Sequence, residues 1–218
     1  MVNITGVLSV KTLTTNVTGH FAYFAEEVMR QDFSAAITFF VFTIFFLIGS
    51  FTSNFLSELI SKTNPNFSHV IPISLEIIVL FGVGIFGMES DLSSFNGKWI
   101  AFAMLFAMGI QNSLVTKISQ STVRTTHLTG LFTDLGIELS QLFFYKKPEE
   151  TKRLKTSIYL RLSIISLFFI GCFSGGFLYS FIKMKTLLVS VFFLLIALMY
   201  DYMRFQFHII KRKSRSHL

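Results

Sequence analysis

The sequence predicts an all-α fold: a polytopic bundle of membrane helices built from two related halves. Three observations carry that expectation. Of the 218 residues, 52% are hydrophobic and 14% are charged, against about 25% charged in an ordinary soluble domain. No charged side chain occurs from Phe33 to Ser57, from Trp99 to Thr116 or from Leu162 to Ile182. Each gap is close to the roughly 20 residues that carry a helix across the hydrocarbon core. Third, two ordered motifs occur twice along the chain. A water-soluble globule and a long disordered chain are both excluded by this composition.

Five segments read as spanning helices: 35–58, 71–88, 98–116, 157–181 and 184–204. Pro65 and Pro148 fall in the intervening loops. Pro72 opens the second segment, where its missing N–H costs no hydrogen bond. Two further segments, 12–30 and 122–144, are more polar and either span the membrane or enter and return. Residues 1–205 form a single integral-membrane domain, and 206–218 a basic cytosolic tail. Met1–Val10 contains no basic residue, so it does not read as a cleavable leader. Cys172 is the only cysteine; alone in an apolar run, it reads as a small packing residue rather than half of a redox or metal pair.

The repeat sets the halves at about 12–88 and 98–204. Thr14-Thr15-Asn16-Val17-Thr18-Gly19 returns 111 residues later as Thr125-Thr126-His127-Leu128-Thr129-Gly130, with Glu27 matching Glu138. Phe46-Leu47-Ile48-Gly49-Ser50-Phe51 returns 122 residues later as Phe168-Phe169-Ile170-Gly171-Cys172-Phe173. One insertion of 11 residues, beside the basic stretch Lys146–Lys155, explains both offsets. In front of the second half stands an extra helix, 98–116, which has only Met1 to about Lys11 as its first-half counterpart. Gly49 with Ser53, and Gly171 with Gly175, present small residues four apart, a pattern that lets helix backbones meet in lipid.

The net charge of +7 gathers outside the apolar segments. That distribution points to anionic lipid rather than nucleic acid. If both polar segments span, 12 basic residues share the side of the C-terminus and 6 lie opposite; if both are re-entrant, the division is 13 to 5. In either arrangement the C-terminus is cytosolic. Seven spans make the halves parallel, and five make them antiparallel.

The functional expectation rests on polar groups that lipid would reject. Asn16, His20, Tyr23, Glu27 and Arg30 recur at spacings of three and four, as do Asp134, Glu138, Gln141 and Tyr145. Each set therefore occupies one helical face. Such a face belongs in a protein interior or an aqueous cavity. Glu27 and Glu138 occupy matching positions and are the candidates for coupling. Asp134 would tune their charge, and His20 and His127 can relay protons near neutral pH. Gln111 and Asn112 bring polar contacts late in an apolar helix, and Arg124 begins the second polar segment. Threonines 14, 15, 18, 125, 126 and 129, with Gly19 and Gly130, can mark broken helices whose ends offer oriented dipoles to a solute. Glu76 is a further acid inside a span, without a repeat partner.

Together, the segments Ala107-Met108-Gly109-Ile110-Gln111-Asn112-Ser113, Arg124–Gly130, Thr133-Asp134-Leu135-Gly136 and Val17-Thr18-Gly19-His20 resemble the YoaK/DUF1275 family of bacterial membrane proteins. The resemblance implies a multi-pass protein of the bacterial inner membrane, commonly with about six spans. It also implies a leading apolar segment that this chain lacks. It implies no biochemical activity. The expected function is transport of a small solute or inorganic ion, cation- or proton-coupled through the carboxylates. The alternatives are a structural or regulatory partner, as a homo-oligomer or with another membrane protein, and, ranked below that, a membrane enzyme. No catalytic, metal-binding or nucleotide-binding motif is present, and no cofactor is implied.

Overall fold

The computed structural model describes residues 1–87, 94–118 and 127–215. The elements are α1 (Val2–Val10), α2 (Val17–Met29), α3 (Phe33–Ser61), α4 (Val70–Phe86), α5 (Phe95–Ile118), α6 (Leu128–Phe144), α7 (Pro148–Ile182) and α8 (Thr186–Arg215). Short 3-10 turns lie at Pro65–Phe67 and Lys183–Lys185. Among the described residues, the five apolar segments read from the sequence are helical apart from Gly87 and the 3-10 turn at Met184 and Lys185. Three apolar stretches have the length of a membrane crossing: Phe33–Ser61, Phe95–Lys117 and Pro148–Asp201. The turn at Lys183–Lys185 divides the last of these into α7 and α8. The apolar helix α4 is shorter, at 17 residues.

The burial pattern is that of a protein dissolved in lipid. Along α3 the buried positions are mostly small, among them Ala36, Thr43, Gly49, Ser53 and Ser57. Phe51, Phe55 and Leu59 face outward. On α7, Phe169, Phe173, Phe177 and Phe181 form an outward stripe four residues apart. In water such a surface would drive association; in a bilayer it is matched to its solvent, and small residues are free to bring backbones together.

The closest approach joins α3 to α5. A β-carbon at Gly49 would overlap the Phe106 carbonyl, and one at Gly109 the Phe46 carbonyl. The Ser50 hydroxyl donates to the Gly109 carbonyl at 3.1 Å. Phe45 stacks on Phe102 at 4.5 Å between ring centroids. At the far end, Lys117 pairs with Glu58 at 2.7 Å. Contacts at both ends in the same order make α3 and α5 parallel neighbours.

The helix α4 packs on α5 and α8. His69, at its start, lies 3.2 Å from Asp201 late in α8. Gly84, near its end, rests on Leu187 and Leu188 at the start of α8. These two helices are therefore antiparallel. The helix α1 packs on α7, with Met1 beside Gly175 and Ile4 beside Gly175 and Gly176. Three-residue connections fold α2 onto α3 and α6 onto α7 as antiparallel hairpins.

Gly49→Val and Gly109→Val should each force α3 from α5 and sharply lower the yield of monodisperse protein in detergent. Gly82→Ala and Gly136→Ala, where an added β-carbon meets nothing within 4 Å, should leave that yield unchanged. Size-exclusion profiles of the four variants check the contrast.

Candidate functional site

The first polar segment is only partly helical. α1 ends at Lys11, whose φ of 54° and ψ of 31° are left-handed, and the chain then doubles back along α1. The Thr12 amide reaches the Gly6 carbonyl at 3.2 Å. The Thr14 amide donates to the Asn3 side-chain oxygen at 2.9 Å. α2 starts only at Val17 and holds 13 residues, about 20 Å at 1.5 Å per residue. The Asn16 side chain caps it, accepting from the Gly19 amide at 3.0 Å. α6 starts at Leu128 with His127 at the capping position and no side-chain hydrogen bond there. A β-carbon at Gly19 would crowd the Asn16 amide, and one at Gly130 the His127 ring. The glycine in each Thr-Gly pair thus makes room for the capping side chain.

Both helix starts border one open space. A cavity of about 820 Å³ is lined by Thr15, Asn16 and Thr18 from the first segment, by Asn112 from α5, and by His127 and Thr129 from the second. A second cavity of about 400 Å³ is lined by Glu76, Gln111 and Ser190 with apolar neighbours that include Leu80, Met108 and Phe193. Asn3, Thr15 and Phe168 line both, so the two spaces share a wall. Glu76 is 1% exposed, and neither of its carboxylate oxygens has a hydrogen-bond partner. The Ser190 hydroxyl is likewise buried without a partner.

The paired acids stand elsewhere. Glu138 Oε1 accepts from the Ser157 hydroxyl at 2.6 Å and from Arg161 Nη2 at 3.1 Å, while its Oε2 accepts from Arg161 Nε at 2.9 Å. Asp134 meets Arg161 Nη1 at 2.9 Å. One guanidinium thus holds two carboxylates one helical turn apart, and so ties α6 to α7. Glu27 pairs with Arg30 at 3.4 Å. No hydrogen bond or ion pair among the described residues joins Glu27 to Glu138.

On α2, His20 is 1% exposed. Its Nε2 lies 2.7 Å from the Leu13 carbonyl, which makes Nε2 the protonated nitrogen. Its ring packs on Phe39 and Phe42. Tyr23 packs on Phe39 at 5.2 Å. His20 and Tyr23 on α2, like Asp134 and Glu138 on α6, therefore face the partner helix of their own hairpin.

Of the residues expected at a site, Gln111, Asn112 and His127 border the cavities. Glu138, Asp134, Tyr23 and His20 join the helices of the two hairpins, Glu27 pairs with Arg30 at the end of its own helix, and Arg124 lies outside the described residues. Gly49, Ser53 and Gly175 occupy helix contacts, whereas Gly171 has Met1 at 3.7 Å from an added β-carbon. Among the described residues no group of three or more His, Cys, Asp or Glu is placed to hold a metal. Arg161 stands within an apolar segment and Glu76 has no repeat partner, so neither shares the duplicated signal of Glu27 and Glu138. A signal for Glu76 was present: Pro72, Glu76, Leu80 and Gly84 form the buried stripe of α4 at four-residue spacing.

One family model, described as "Protein of unknown function (DUF1275)", matches residues 1–200. No curated protein and no solved structure matches.

Arg161→Ala should remove the cation shared by Asp134 and Glu138, leaving Glu138 with only the Ser157 hydroxyl, and destabilise the protein by about 2 kcal/mol. Thermal unfolding in detergent should shift down by about 4–8 °C. Arg30→Ala, which removes exposed pairs, should stay within about 0.5 kcal/mol of the parent.

Proposed function

The chain belongs to the DUF1275 family of membrane proteins, and we propose that it transports a small polar solute or ion by way of the two adjoining cavities. The observation that carries this reading is the broken segment at Thr12–Asn16. It costs the bundle a stretch of regular helix, and it buries Thr12 and Thr14 while turning the start of α2 toward the larger cavity. Irregular backbone at membrane depth is tolerated where it lines a cavity, and in transporters such breaks form the substrate site.

The arrangement of helices supports an inverted repeat, with α1–α4 related to α5–α8. The hairpin α2–α3 has its counterpart in α6–α7, and the contact of α5 on α3 has its counterpart in α1 on α7. The antiparallel pairing of α4 with α8 is what a two-fold axis in the membrane plane would produce. The 11-residue difference in offset is absorbed by the second hairpin. α6 holds 17 residues against 13 in α2. α7 begins seven residues ahead of the position matching Phe33.

In this reading α3, α4, α5, α7 and α8 cross the membrane, and the two polar segments enter from opposite faces and return. That corresponds to the 13-to-5 division of basic residues, with the Lys62 loop, the Lys146–Lys155 hairpin tip and the C-terminus in the cytosol of a bacterial inner membrane. Gln111, Asn112 and His127 lie along the solute route. Glu138, Asp134 and Arg161 hold the hairpin that carries the start of α6. The acids Glu27 and Glu138 are tested for coupling by Glu27→Gln with Glu138→Gln; under this reading the double variant retains solute-driven flux in proportion to its folded fraction.

Thr15, on the shared wall, is the position to block. In sealed liposomes the parent protein should give solute-dependent flux for a member of a polar-solute panel, and Thr15→Phe should reduce it about tenfold at equal incorporation. A panel-wide absence of flux, or undiminished flux in Thr15→Phe, would reject the route. Reporters inserted in the Lys62 loop and fused to the C-terminus should read the same side of the membrane. Opposite sides would establish seven crossings instead.

A further inference from the structure

The smaller cavity contains an acid that the fold itself leaves unsatisfied. Glu76 stands midway along α4, on the face packed against α5 and α8. Both carboxylate oxygens are buried and unpartnered. The polar groups that share the cavity, Gln111, Ser190, Asn3 and Thr15, are uncharged. Met1 also lines it, and no ion pair among the described residues joins its amino group to Glu76.

A carboxylate withdrawn from water requires a proton or a cation beside it. An inorganic cation is held by a shell of about six or more oxygen ligands. Here the remaining wall is largely apolar, including Leu80, Met108 and Leu194, with Phe168 and Phe193 supplying aromatic surface. The volume of about 400 Å³ falls within the ~300–1,000 Å³ of small-molecule pockets, which combine apolar walls with a few polar groups. Aromatic surface adds to the binding of an organic cation.

We infer that this cavity binds the protonated amino group of a small organic amine, with Glu76 as its counter-ion. The Gln111 carbonyl and the Ser190 hydroxyl accept its remaining N–H groups, and the apolar wall receives its alkyl body. The transporter reading makes such an amine the cargo, while the binding itself does not depend on flux.

The test is calorimetric titration of the purified full chain in detergent at neutral pH with n-butylamine, n-butanol and butyrate, and separately with sodium and potassium chloride. n-Butylamine should bind saturably, at least about tenfold tighter than the neutral and anionic analogues. Glu76→Gln should weaken it about tenfold, and Ser190→Val, which keeps the acid, about threefold. If Glu76→Gln does not fold, Ser190→Val and the ranking of the probes decide. Equal binding of butanol, displacement of the amine by sodium or potassium alone, or unchanged affinity in the folded variants would overturn the inference. Flux of some solute without amine binding would refute the amine site and leave transport standing. Amine binding without flux would do the reverse.

Discussion

The contact on which the bundle depends is the meeting of α3 and α5 backbone to backbone. Gly49 and Gly109 remove the side chains that would hold the helices apart, and Ser50 closes the seam with a hydrogen bond to the Gly109 carbonyl. Lipid provides no hydrophobic drive for helices to associate, so close van der Waals contact and interhelical hydrogen bonds must supply it. This seam fixes the rotation of α5. With Gly109 turned to α3, the following Gln111 and Asn112 reach the two cavities. The position of the polar wall is thus a consequence of two missing β-carbons.

The two hairpins solve one packing problem with different chemistry. In α6–α7, Asp134 and Glu138 converge on Arg161. At the place matching Asp134, Tyr23 rests on Phe39, and His20 lies one turn earlier against the same ring, while Glu27, the match of Glu138, pairs with Arg30. An ion pair and an aromatic pair both join the helices, but they respond differently to their surroundings. The aromatic pair needs only apolar area. The ionic cluster requires all of its partners, because removing one leaves the others without compensation.

Much of the architecture was legible in the sequence because the bilayer imposes a simple rule on composition. Charge-free runs located α3, α5 and α7, and small residues four apart marked Gly49, Ser53 and Gly175 as contacts. The candidate site was harder to read. A duplicated acid on a polar face suggests function, yet Glu138 is answered by Arg161, a residue whose place in an apolar run gave no hint of a partner across a hairpin. Glu76 has no repeat partner and stands alone among apolar neighbours. The packing of α1, α5 and α8 around it brings its carboxylate no hydrogen-bond partner among the described residues. The break at Thr12–Asn16 had a compositional trace in its threonines, which are compatible with either a helix or a turn. The hydrogen bond from Thr14 to Asn3 decides the matter through a neighbour that local pattern does not reveal.

The exit of the chain at Lys11 and its return beside α1 bear on how the protein is assembled. Membrane insertion sorts segments by how well they partition into lipid, and a stretch with exposed backbone groups and the polar cap of α2 partitions poorly on its own. Such a stretch becomes stable only once neighbouring walls receive it. Under the transport reading, the apolar helices would enter the bilayer first and the stretch Thr12–Asn16 would be drawn in once its neighbours are in place. Quality-control proteases would meet such an unfinished molecule with Thr12–Asn16 still outside the membrane.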